Sequence, residues 1–265
     1  MRSNAGRYES WPALIELDKA AFVEHLDGLM DVYATAMKVP AFQLPGRRAV
    51  MDAHVLNPAF RAIAVTRSAS CVLGGSVLGA GGSVLGGGSS VLGGSAGGSV
   101  LGGGSSVPGG SVFGGAGGSE AVIAFAYGFH GRRGQWWHDL VRSALTATSG
   151  ARVAAAWLDD SFEVAEVHVR PEHQKRGIGR RMLLRLTGGL AERTAVLSTM
   201  DADTPARHLY RSLGFTDLLT RYQFAGVAES YAVMGAALPL LAERRLAGRP
   251  AAPGAGRSPW WRGSR

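Results

Sequence analysis

At 265 residues the chain is long enough to bury a hydrophobic core, as one large domain or two small ones. A composition of 46% hydrophobic and 18% charged residues fits a globular protein, the lone Cys71 excludes an internal disulfide, and no Cys/His cluster has zinc-site spacing. The net charge of +8 is concentrated around Arg170, Lys175, Arg176, Arg180, Arg181 and Arg185, and again in an arginine-rich C-terminal stretch. The first suits a compact polyanion; the second has no aromatic platform beyond Trp260 and Trp261, which argues against a nucleic-acid partner.

In chain order, the N-terminal stretch carries charges where a signal peptide needs an apolar run, and about 18 uninterrupted apolar residues occur nowhere. The expectation is a soluble, cytoplasmic protein without a membrane partner. Phe22, Leu26, Leu29, Met30, Tyr33 and Met37 recur at helical spacing, which predicts an amphipathic helix stopped by Pro40. Residues 60–67 and 120–129 are β-favouring apolar runs and predict an antiparallel hairpin. Between them, 68–119 repeats variants of GSVLGGG and accounts for much of the glycine excess, 39 residues in all. Its units are too short and too glycine-rich to offset the entropy of ordering, so a flexible low-complexity insertion is expected in preference to a phosphate loop or a strand former.

Beyond the hairpin the pattern predicts a short helix over 139–148 and a strand over 162–169. A helix over 179–192, a strand over 195–200 and a helix over 204–213 follow, then strands near 218–224 and 229–236. Strands alternating with helices indicate an α/β layered structure. The stretch 247–265 has no apolar period and is expected to be a disordered basic tail. A single domain over 1–246, interrupted at 68–119, is the resulting organisation.

The segment FEVAEVHVRPEHQKRGIGRRMLLRL is the most informative. Pro171 must end the strand near Arg170. Gly177 and Gly179 then let the backbone approach a ligand at a helix start, where unpaired N–H groups and the positive end of the helix dipole favour phosphate. Arg176, Arg180 and Arg181 put positive charge where the dipole disfavours it by a few tenths of a kcal/mol, and a bound anion would offset that cost. Ile178, Met182, Leu183, Leu186 and Leu190 define the packed face of the helix behind the loop.

These residues carry a resemblance. VHVRPEHQKRGIG resembles the acetyl-CoA signature of the GNAT superfamily of N-acetyltransferases, whose core is [Q/R]xxGx[G/A], and DTPARHLYRSLGF from Asp203 is similar to that superfamily's later helix. GQWWHDLV and YAVMGAALPL resemble actinobacterial-type members. The resemblance implies a mixed, splayed, mostly antiparallel sheet flanked by helices. It implies acetyl-CoA as co-substrate, with no metal, and direct transfer to a primary amine on a small molecule or a protein. It assigns the backbone of Val167 and Val169 to the pantetheine amides, and Gln174, Lys175, Arg176, Gly177, Ile178, Gly179 and Arg180 to the pyrophosphate. Tyr210 would face the sulfur as the proton donor for the departing thiolate. Lys175 stands where glycine is common, which an ordinary φ would tolerate, and Asp203 stands where the superfamily usually has Asn to bond the cofactor arm.

For a base, strict alternation puts Phe162, Val164, Glu166 and His168 on one strand face and Glu163, Ala165, Val167 and Val169 on the other, unless a bulge exchanges them. Glu166 is the first candidate, an arginine-paired charge its structural reading, and His168 and Glu163 the reserves. His138, beside two tryptophans, is a candidate wall of the acceptor pocket, with packing as the competing reading. A non-catalytic acyl-CoA-binding module is the alternative function, and a homodimer stays open as the assembly.

Overall fold

The computed structural model describes residues 12–67 and 121–241; the repeat at 68–119, the tail at 247–265, Cys71, Trp260 and Trp261 lie outside the described residues. The chain enters through β1 (Ala13–Leu17), α1 (Lys19–Glu24), α2 (Leu26–Met37), α3 (Leu44–His54), β2 (Arg61–Arg67) and β3 (Ala121–Gly131). It continues through α4 (Trp136–Ser149), α5 (Ala151–Leu158), β4 (Ser161–Val169), α6 (Ile178–Thr187) and β5 (Thr194–Met200). It closes with α7 (Pro205–Leu213), β6 (Thr216–Tyr222) and β7 (Tyr231–Ala237).

The seven strands form one sheet in the order β1-β2-β3-β4-β5-β7-β6. Every neighbouring pair is antiparallel except β4 and β5, which are parallel and register only at Ser161↔Thr194, Phe162↔Ala195 and Glu163↔Val196. β4 runs on to Val169 and β5 to Met200, so the two strands part and the sheet opens as a V between them. The predicted hairpin is present, with Arg67 opposite Ala121 at its open end.

Three apolar clusters hold the layers. One packs α6 and α7 on one face through Ile178, Met182, Leu183, Leu186, Tyr210 and Leu213, against Val65, Phe162, Val164 and Leu197. Burying each large side chain there stabilises the fold by about 1.5–3 kcal/mol. On the opposite face, Phe22, Leu29, Val32 and Met51 of the first three helices meet Ala62, Phe125, Tyr127 and Ala165. The third packs α4 and α5 on Val196, Val233 and Tyr231.

The predicted first helix is two. Asp18 caps α1 by accepting from the Ala21 N–H at 2.8 Å, and the chain breaks at His25 before α2 begins. α2 ends in left-handed Lys38, two residues before Pro40. β1, α3 and α5 were not anticipated. α3 is half polar, and Gly150, at φ 88°, divides α5 from α4 where the composition shows one alanine-rich run.

Candidate active site

At the mouth of the V, β4 delivers its chain into a loop and then into α6. Arg170 N–H donates to the Ile123 carbonyl on β3 at 2.9 Å. By alternation the backbone groups of His168 point the same way, and those of Val167 and Val169 point into the gap toward β5. Gln174 fixes the end of the strand, its Nε2 donating to the Val169 carbonyl at 3.0 Å. The Val167 N–H and C=O and the Val169 N–H are left facing the opening.

The loop turns twice through left-handed backbone, at Lys175 (φ 60°) and Gly177 (φ 77°). Lys175 therefore departs from the expected ordinary φ: the tight reversal between β4 and α6 forces a lysine into a conformation glycine adopts without cost. Gly177 is the N-cap of α6 and no side chain caps that end; the first helical bond is Arg181 N–H to the Gly177 carbonyl at 3.1 Å. The N–H groups ahead of it project from the helix start. Gly179 has a different reason to be glycine, since a Cβ there would sit 3.1 Å from Leu209 Cδ2, where α6 crosses α7. Thr204 caps α7 by accepting from the Arg207 N–H at 3.2 Å, which places Tyr210 two turns along, 2% exposed and facing the V.

These elements enclose a cavity of about 250 Å³. Val167, Val169, Gln174, Lys175, Gly177, Ile178, Gly179, Arg180 and Tyr210 all line it, as does His168. Arg176 is exposed on the same loop but is not part of the lining, and Arg180 reaches Ser212 Oγ at 3.1 Å. Asp203 lies outside it, an exposed carboxylate bonded to His208, and that bond holds it below the usual carboxylate range. The lining adds Ala36, His173, Pro205, Ala206 and Leu209, which the sequence reading did not single out. Pro205, Ala206 and Leu209 share α7 with Tyr210, a signal available from helical spacing; Ala36 and His173 carry none.

The base candidates sit differently from strict alternation. The register of β4 on β3 jumps from Glu166↔Tyr127 to Val164↔Gly128, so Ala165 is an extra residue. This bulge exchanges the faces. Val164 now packs toward α6 with Val167 and Val169, while Ala165 and His168 pack toward the N-terminal helices. Glu166 is buried there, ion-paired with Arg47 of α3 and bonded through Oε2 to His168 Nε2, and it does not line the cavity. The His168 ring lies edge-on to Tyr33 with centroids 5.1 Å apart. Burial first, and then the Arg47 charge, press its pKa down to about 3. Glu163 is buried with Oε2 lacking a hydrogen-bond partner among the described residues, and burial pushes its carboxyl up to about 8. His138 does not line the cavity: its Nε2 lies 3.0 Å from the Leu158 carbonyl, and the neighbouring Trp137 donates to Ser198 Oγ at 2.6 Å. The first ties α4 to α5 and the second ties it to β5.

Comparison with known sequences fits this geometry. The profile of the acetyltransferase (GNAT) domain matches residues 143–217, a span that contains β4, the Gln174–Gly179 loop, α6 and Tyr210. This part of the chain is similar to the GNAT acetyltransferase domain. A curated GNAT relative, the GCN5-like protein acetyltransferase Rv2170 of Mycobacterium tuberculosis, is 41% identical over 123 residues, 45% of this chain. The match spans 60% of that relative's length. Among solved GNAT structures, yncA of Salmonella typhimurium with its cofactor acetyl-CoA matches at 16% identity and a TM-score of 0.45, over 92% of this chain and 98% of that one. The spermidine/spermine N-acetyltransferase SpeG of Vibrio cholerae matches at 12% and 0.44, over 91% and 98%. Both TM-scores fall below 0.5.

Proposed function

We propose that the protein transfers an acetyl group from acetyl-CoA to a primary amine, on a small molecule or a protein, by direct attack. One observation carries the reading: an uncapped helix N-terminus, a strand edge with unused amide groups and a buried tyrosine meet around a single cavity where the sheet splits. The Gly177–Arg180 N–H groups, with Lys175 and Arg176 at the rim, suit a pyrophosphate. The free amides of Val167 and Val169 suit the pantetheine arm, which would enter the V as an extra half-strand.

Acetyl-CoA supplies the activated thioester. A neutral amine attacks the carbonyl carbon, the C–S bond breaks, the nitrogen gives up one proton, and the Tyr210 hydroxyl gives one to the thiolate. The lone cysteine fits a reducing, cytoplasmic setting. The engagement of Asp203 by His208 favours the second reading, an acyl-CoA-binding module without turnover. A screen of primary amines for thiol release from acetyl-CoA, alongside calorimetry of acetyl-CoA binding, separates the two. Binding with turnover supports transfer, binding without turnover across the screen supports the module, and no binding removes both.

A further inference from the structure

α7 is held by more than its apolar face. Its buried stripe is Arg207, Tyr210 and Leu213, so a guanidinium occupies the place one turn ahead of the tyrosine that a leucine would fill more cheaply. Arg207 is 7% exposed and is gripped from two strands: Nη1 pairs with Asp201, the residue after β5, and Nη2 with Asp217 of β6 at 3.0 Å. Asp201 is itself fixed on two sides. Its N–H donates to the Ser230 carbonyl at 2.8 Å, and its Oδ2 accepts from the Arg221 N–H at 2.6 Å. Arg221 reaches that bond through left-handed backbone, φ 52°, where the register of β6 is broken between Leu219 and Tyr222. A buried arginine whose Nε has no hydrogen-bond partner among the described residues is costly, and so is a non-glycine residue in that backbone. Packing of α7 alone calls for neither.

We propose that Asp201 and Arg207 are positioning residues for Tyr210: the carboxylate at the end of β5 holds the guanidinium beside the tyrosine, and so sets where the hydroxyl stands in the V. The proposal rests on the acetyl-transfer reading, which gives Tyr210 its role, and adds to it the groups that aim the tyrosine.

Side chains on a helix lean toward its N-terminus, so the Tyr210 ring lies over the turn that carries Ala206 and Arg207. Apolar contacts are non-directional and let a nine-residue helix roll or slide, whereas a guanidinium fork between two carboxylates fixes both its angle and its depth. Pro205, Ala206, Leu209 and Tyr210 line the cavity, so any roll of α7 moves the wall and the hydroxyl together. Burial works to raise the Asp201 carboxyl pKa, but the Arg221 N–H and then Arg207 outweigh it and hold it below the usual range. The clamp is therefore charged at working pH. A misplacement of about 1 Å at a reacting group is enough to cost about a hundredfold in rate.

Two measurements decide it. The first needs no acceptor. In protein carrying 13Cζ-tyrosine, the Tyr210 signal is assigned by its loss in Tyr210→Phe. Arg207→Met should displace that signal more than those of Tyr33 and Tyr127, which lie on the far face of the sheet, and Arg207→Lys should return it part of the way. Should Arg207→Met fail to fold, Asp201→Asn makes the same test, because it keeps an oxygen for the Arg221 N–H while Asp217 still holds Arg207. An unmoved Tyr210 signal in the folded variant overturns the proposal whatever the function. The second measurement uses an amine that the parent acetylates in the screen. Arg207→Met should lower turnover about 10- to 100-fold, with acetyl-CoA affinity and acceptor KM within threefold, and Arg207→Lys should recover part of the loss. In a Tyr210→Phe background Arg207→Met should cost no more than twofold further. An undiminished loss in that background would show that the clamp does not act through Tyr210 and would remove its positioning role. Absence of turnover in the parent strikes the acetyl-transfer reading itself, and the tyrosine signal still reads the clamp.

Discussion

Lys175 carries strain at the point where a phosphate would sit. A non-glycine residue in left-handed backbone costs about 1–2 kcal/mol, and glycine returns part of that saving as unfolded-state entropy. Lys175→Gly should therefore raise stability by about 0.5–1 kcal/mol, read as a higher denaturation midpoint. It should also weaken acetyl-CoA a few-fold at low salt, because an ammonium leaves the rim; an unchanged affinity would place the lysine outside the anion site. Tyr210 is the other residue whose role can be isolated, since removing its hydroxyl leaves the ring packed against Phe215, 5.8 Å away. Tyr210→Phe should lower turnover by roughly 10- to 1000-fold while acetyl-CoA affinity stays within a few fold. An unchanged rate with an active acceptor would take the tyrosine out of thiolate protonation.

Two elements set the site, α6 and the bulged strand β4. The start of α6 presents its N–H groups because Gly177 has no side chain and its left-handed φ rules out most others. Gly177→Asp would place a carboxylate where the anion should lie, and calorimetry should show acetyl-CoA binding weakened by at least tenfold; parent-like binding would move the site elsewhere. The bulge at Ala165 gives β4 its buried acids, and Glu163 is the one with a measurable pH signature. Below about pH 4.5 its carboxyl is protonated whether the chain is folded or not. As pH rises from there to about 8, the unfolded chain releases the proton and the folded chain keeps it, so stability falls through that window, by a few kcal/mol at most. His54 and His168, held neutral, act in the opposite sense below about pH 6.5, so the difference between Glu163→Gln and the parent isolates the effect. That difference should grow in favour of Glu163→Gln between pH 5 and 8 and then level off; a flat difference would mean Glu163 is ionised in the folded protein. Much of this architecture was readable beforehand: apolar period, Pro171 and the two glycines place β4, the loop and the start of α6 within a residue or two, whereas α6 ends at Thr187, short of the expected 192 and of Leu190. The bulge was not, because one extra residue leaves no mark in an all-buried strand, and neither was Arg47, whose partner lies more than a hundred positions away.

At the scale of the whole molecule, the sheet brings the ends of the repeat together without its help. Arg67 and Ala121 are registered opposite one another at the end of the β2–β3 hairpin, so the chain between them closes a loop whose mouth is already one strand spacing wide. Deleting residues 70–118 would leave Ser68, Ala69, Ser119 and Glu120 to make that turn, a length hairpins commonly use. Loop-closure entropy changes by about 0.6 kcal/mol per doubling, and this shortening is a little under four halvings, so the deletion should stabilise the fold by about 2 kcal/mol. The cavity lies across β4 at the V, and among the described residues its lining takes none from β2 or β3, the strands that flank the deletion, so acetyl-CoA affinity should stay within twofold. Chemical denaturation and calorimetry on the shortened chain check both. A loss of folded, soluble protein would show that the repeat packs on the domain, and a loss of affinity in a well-folded shortened chain would show that it reaches the cofactor side.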